Sequence, residues 1–187
     1  MKSTTLLFVS IFLLLIYRLS AQVTNKTYDE AFNDAIAKQY PKYHTALLKV
    51  LDDFEQELII KEVFSDGSFE NYVKVLTKIS KDSTYKVVSE YAIGDSVIKI
   101  SKHYKIDYMS ILTSDEVLSY SDNNAKNLLL NEKSSAIAMK NGGLTYSDYA
   151  SILLEVYDER DFQLPIIKLK IFKFIDPNTN GRWWFYY

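Results

Sequence analysis

The last twelve residues of this 187-residue chain hold its densest group of side chains able to do chemistry. Asp176-Pro177-Asn178-Thr179-Asn180-Gly181 follows D-x-N-x-N-G, the first half of a calcium loop, in which oxygens at alternate positions turn toward a hard cation. The second half departs from that pattern. Position twelve is Tyr187 where a bidentate Glu belongs, and Pro177 occupies position two. A Ca2+ ion on Asp176, Asn178 and Asn180 would need carboxylates from elsewhere, with Asp158, Glu159 and Asp161 as the obvious donors. The same six residues also read as a hairpin loop, in which Asn180-Gly181 supplies the positive-φ positions and Asp176 and Asn178 bond their own backbone. The strand-like flanks favour the hairpin, and no resident cofactor is expected on that reading.

Behind the loop stand Trp183, Trp184, Phe185, Tyr186 and Tyr187. Aromatic rings give large contact area at small entropic cost and stack on sugars or on apolar partner groups, so these five form the candidate binding surface. A strand buried on both faces would carry the same residues. Abundance decides nothing, because fifteen Tyr in a chain with 19 Lys against 3 Arg reflect a general compositional bias.

Catalytic constellations are sparse. His44 and His103 are the only histidines, neither lies in an H-E-x-x-H setting, and the chain has no cysteine. On a strand, Ser101, His103 and Asp107 would share one face, with 103 and 107 about 13 Å apart, too far for a triad. G-x-S-x-G, P-loop and G-x-G-x-x-G motifs are absent. A carboxylate-dependent hydrolase needs only two acids, and Asp52-Asp53 and Asp158-Glu159 are the pairs on offer. Each belongs to a polar face of the kind that normally stays in water.

Three amphipathic helices are expected in the first half. Thr27-Tyr28-Asp29-Glu30 is a capping box that opens the first, and Pro41 bars Tyr40 from helical geometry and ends it. The second covers roughly 42–63, with Tyr43, Leu47, Val50, Leu51, Phe54 and Leu58 as its apolar stripe. The third starts at Ser68 and carries Phe69, Tyr72, Val73, Leu76 and Ile79. From Ile98 to Tyr108, apolar and polar residues alternate with a period of two in all but one place, which predicts a strand. Tyr85, Val87, Tyr91 and Ile93 alternate similarly, and Gly94-Asp95 would turn a hairpin, although 85–92 also fits a helix. Short helices are expected at Leu128 to Leu130 and at Ala136 to Met139, stopped by Gly142-Gly143. Thr145 to Leu154 then repeats the pattern of Ser68 to Leu76: hydroxyl cap, aromatic, two polar residues, tyrosine, aliphatics. Ile167, Leu169 and Ile171 alternate with Lys168 and Lys170, predicting one arm of a C-terminal β-hairpin whose return arm is 182–187.

The expected fold class is therefore α+β, a helical N-terminal half with a small antiparallel sheet that includes the C-terminal hairpin; a mostly α chain with that hairpin is the alternative. No Pro, Gly or Ser-rich linker interrupts 22–187, so one domain is expected there.

Residues 1–21 stand apart. Lys2, an apolar run from Leu6 to Tyr17, and Arg18-Leu19-Ser20-Ala21 form the pattern of a secretory signal peptide cut after Ala21. The run is short of the roughly 20 residues that cross a bilayer, and Arg18 lies on the side that would be translocated. Removing residues 1–21 leaves 20 basic against 24 acidic residues, a net charge of −4. Such a balance speaks against nucleic acid or an anionic membrane surface as partner. An exported chain held together without disulfides fits a bacterial periplasm or cell surface. The expectation is an exported, non-catalytic domain that binds a protein or an envelope component, with no transmembrane segment in the mature chain. A small-ligand or glycan binder using the aromatics, and a carboxylate hydrolase, are the alternatives.

Overall fold

The computed structural model describes residues 26–82, 84–87, 89–120, 125–176 and 178. The described chain runs α1 (Tyr28–Gln39), α2 (Pro41–Ile60), α3 (Phe69–Lys81), α4 (Ile93–Tyr104), α5 (Tyr108–Leu112), α6 (Asp115–Leu118), α7 (Lys126–Asn141), α8 (Tyr146–Val156), a 3-10 turn at Asp161–Gln163 and α9 (Pro165–Ile175). Among the described residues there is no strand, so the α+β expectation is replaced by an all-helical architecture. No described helix is long and apolar enough to cross a membrane.

The N-terminal half forms as its local chemistry dictates. Thr27 and Glu30 close the capping box reciprocally, the Thr27 amide donating to Glu30 Oε2 at 2.7 Å and the Glu30 amide to Thr27 Oγ1 at 3.2 Å. Pro41 takes the first position of α2, where its missing N–H costs nothing. The expected stripe of α2 is buried from Tyr43 to Leu58. Asn71, itself buried, ties the turn before α3 together: its amide group donates to Asp66 Oδ1 at 2.7 Å and its oxygen accepts from the Ser65 amide at 3.1 Å.

Most of the predicted strand from Ile98 to Tyr108 and all of the arm 167–175 are helical. Ile93, Val97, Ile100 and Tyr104 recur at four, three and four, a helical stripe that puts Ile93 and Val97 in the core and packs Ile100 and Tyr104 against it. Alternation counted from Ile98 coincides with part of that stripe and conceals it. Gly94-Asp95 lies in the first turn of α4, not in a hairpin. The segment 84–87 and 89–92 is neither strand nor helix. Its backbone is held by a side chain: Glu57 Oε1 accepts from the amides of Glu90 at 2.7 Å and Tyr91 at 3.2 Å and from the Ser89 hydroxyl at 2.9 Å. The expected arm 167–175 is α9, and the return arm 182–187 lies outside the described residues. Leu128 to Leu130 and Ala136 to Met139 belong to one helix, α7, which ends at Gly142 with φ of +73°.

Helix α9 is the centre of the molecule. Ile166, Ile167, Leu169, Ile171, Phe172, Phe174 and Ile175 are all buried, and the helix packs against α1, α2, α4 and the 3-10 turn. A helix apolar on nearly every side has no polar face to reveal its period, which is why its lysines produce an apparent alternation. Burying these side chains contributes roughly 1.5–3 kcal/mol each before conformational entropy is subtracted. Helices α3 and α8, which share a sequence pattern, pack directly on each other. Their corresponding tyrosines both meet α9: Tyr72 stacks on Phe172 with ring centroids 5.7 Å apart, and Tyr149 lies 5.2 Å from Phe174.

Candidate functional site

Three clusters of charged and polar side chains lie between the described helices, apart from buried Asp29 with Lys170 and Lys173. In the first, α2, α3 and α9 bring together Glu55, Tyr72 and Lys168. The Lys168 ammonium lies 3.0 and 3.3 Å from the two Glu55 oxygens, the buried Tyr72 hydroxyl donates to the same carboxylate, and the ammonium sits 5.6 Å from the Tyr72 ring centroid. Burial and then the Glu55 charge hold the Tyr72 phenol well above its ordinary range, so it stays a hydrogen-bond donor. The second cluster joins α7 to the 3-10 turn. Lys126 Nζ donates to Asp158 Oδ2 at 2.7 Å and to Asp161 Oδ2, which also accepts from the Asp158 amide at 2.7 Å. The Lys126 ammonium pulls the Asp158 carboxyl below its usual range, whereas burial pushes Asp161 above it. Arg160 extends this edge to α1 through Glu30 Oε1, 2.6 Å from Nη2.

The third cluster contains residues singled out from the sequence. Asp176 is buried, and its Oδ2 accepts from the Ile93 amide at 3.0 Å, so a carboxylate 83 residues away satisfies the open N-terminus of α4. Its Oδ1 accepts from the Asn178 amide at 2.8 Å, and the Asn178 side chain donates to the Ser89 carbonyl at 3.3 Å. Burial raises the Asp176 carboxyl, with the amides of Asn178, Ile93 and Gly94 working against it. Asn180 and the five aromatics Trp183, Trp184, Phe185, Tyr186 and Tyr187 lie outside the described residues. The carboxylates that a Ca2+ ion would borrow are engaged otherwise, since Asp158 and Asp161 share the Lys126 ammonium. Among the described residues no group of three or more His, Asp or Glu side chains is placed to share a metal ion.

The remaining candidates are dispersed. Ser101, His103 and Asp107 have separate settings on a helical segment: Ser101 is half-buried on α4, His103 lies edge-on to Tyr104 at 4.6 Å, and Asp107 accepts from the Ser110 amide at 3.0 Å as the cap of α5. His44 is half-buried on α2, its Nε2 enclosed and without a hydrogen-bond partner among the described residues. Asp52 and Asp53 are exposed on α2.

One surface was not singled out in the sequence. Among the described side chains of α7 only Leu130 is buried, while Leu128 is 60% exposed, Leu129 38% and Met139 86%. Leu128 and Met139 are eleven residues apart, three turns along one face. The available signal was three consecutive leucines, which no single helix face can bury together. No protein family, curated protein or solved structure matches the chain.

Proposed function

We propose that the chain is an exported, non-catalytic domain that binds a protein or an envelope component through a helix face. The observation that carries the binding half is the outward apolar face of α7, where Leu128, Leu129 and Met139 stand in solvent while α9 is packed on nearly all sides. Leu128 and Leu129 at the start of α7 and Met139 three turns on are read as two apolar contacts for a partner laid along the helix. The three polar clusters, two of them ion-paired, support the same reading, because each engages its charged groups in holding helices together. Export rests on Lys2, the run Leu6 to Tyr17, and Ala21.

Placing a photo-crosslinking residue at Leu128 or Met139, with Lys74 on the outer face of α3 as reference, tests the binding half in living host cells. We expect discrete adducts at 128 and 139 and none at 74. Equal labelling at all three positions, or none at any, contradicts the α7 assignment.

A further inference from the structure

The net charge of −4 averages over a surface on which the charges are segregated. Helices α2 and α4 pack side by side and antiparallel. Glu57 near the end of α2 holds the amides of Glu90 and Tyr91 just before α4, whereas Tyr43 near the start of α2 meets Tyr104 near the end of α4, their ring centroids 6.4 Å apart. The first half of α2 therefore lies beside the last half of α4. From 41 to 51 the chain contains Lys42 and Lys49 and no acid, and from 96 to 106 it contains Lys99, Lys102 and Lys105 and no acid. All five ammonium-bearing side chains are exposed, and none belongs to an ion pair among the described residues. Lys42 and Lys49 share one flank of α2, two turns and about 10 Å apart. Of the acids of the pair, Glu55, Glu57 and Asp95 sit toward its other end, Asp52 and Asp53 begin one turn beyond Lys49, and Asp107, exposed two residues after Lys105, caps α5. At the lysine end Ile98 is 40% exposed and Met109 63%.

We infer that the paired ends of α2 and α4 form a lysine-rich face, with acids only at its rim, that docks on the phosphate headgroups of an anionic membrane leaflet. Five cations against the rim acids Asp53 and Asp107 complement a plane of phosphates, and Ile98 and Met109 supply apolar side chains of the kind that enter the headgroup boundary. A polyanion in solution would use the lysines alone. Each lysine close to an anionic leaflet strengthens partitioning about fivefold, so three of them account for roughly a hundredfold. The inference rests on the reading of the chain as an exported envelope-binding domain, and it names the envelope component.

Every residue of the described core lies within 22–187, so this form is suited to the test. Its cosedimentation is measured with vesicles of phosphatidylglycerol and phosphatidylcholine and with phosphatidylcholine alone, at low and high salt. The variant K99E/K102E/K105E is compared with K74E/K78E/K81E, which changes net charge equally on the outer face of α3, and helical circular dichroism checks the fold of both. We expect salt-sensitive binding to the anionic vesicles only, at least a tenfold loss in the α4 variant and less than a threefold change in the α3 variant. Equal loss in both variants, equal binding to the neutral vesicles, no binding at all, or tighter binding to an RNA oligonucleotide than to anionic vesicles overturns the inference. Export is read separately from the N-terminus of the chain recovered from the host, so either reading can fail while the other stands.

Discussion

Lys126 shows how a single side chain can set the character of a surface. It pairs with Asp158 and Asp161, two of the acids that the sequence offers as donors to a calcium ion, and it makes them a tether between α7 and the 3-10 turn. Lys126→Met would leave Asp161, which is 4% exposed, without its cation beside a second acid. We expect a loss of about 2–3 kcal/mol in urea unfolding, of which Asp161→Asn in the same chain restores part. Lys170 gives a pH signature. Its amine is pushed down to about 8, chiefly by burial, with Asp29 pulling the other way and Lys173 adding repulsion. A lysine in the unfolded chain titrates near 10.4, so between those values the unfolded state binds more protons and stability rises with pH. Above about pH 10 the phenols of Tyr72, Tyr146 and Tyr149, which burial holds protonated, reverse the trend, because the unfolded chain now releases protons that the fold retains. We expect stability to climb by about 1–2 kcal/mol from pH 8 to 10 and to fall beyond it, with Lys170→Met abolishing the climb. Backbone strain offers a third check. Glu62 is exposed at φ of +59°, so Glu62→Gly should raise stability by about 0.5–1 kcal/mol in the same denaturation experiment.

At the scale of elements, the sequence was legible wherever local chemistry closed on itself. The Thr27 capping box, the hydroxyl cap at Thr145, the Pro41 boundary and the stripe of α2 form at the expected places, whereas in α3 Val75 takes the core position expected of Val73. Misreadings fell on the two helices whose burial is set by distant partners. In α9, Lys168 is matched by Glu55 on α2, a carboxylate 113 residues earlier, so its place in the interior has no local signature. In α4 the cap is Asp176, 83 residues later, and the segment before it is held by Glu57. Period-two alternation in both was a coincidence of lysine spacing, and only the tertiary partners decide against it. The candidate site was legible only in part: Asp176 stood out as a polar residue with a task, but that task is capping α4, and no local pattern points to Ile93. Because α9 is a helix, Phe172→Ala must open a cavity between Phe54 and Tyr72, whose rings lie 5.0 and 5.7 Å away. We expect a loss of about 3–5 kcal/mol by denaturant titration, and a far-ultraviolet spectrum of the parent chain dominated by helix. A β-hairpin at 167–175 would tolerate the change at a solvent-facing position.

Over the whole molecule, composition and fold carry different information. Overall charge excludes little, because the lysines of α2 and α4 gather at one end and most of the acids that balance them lie beyond its rim. An all-helical core built from residues 29–176 without a cysteine is held by packing and a few shared carboxylates, and it leaves α7 and the α2–α4 end facing outward. These surfaces acquire a purpose if the chain is delivered to an envelope, so export is the claim on which the rest depends. The most direct test expresses the full chain in its host, separates cytoplasm from envelope and medium, and determines the intact mass and N-terminal residue of the recovered protein. The account predicts a product outside the cytoplasm that begins at Gln22; a chain retained in the cytoplasm with Lys2 to Ala21 still attached would contradict it.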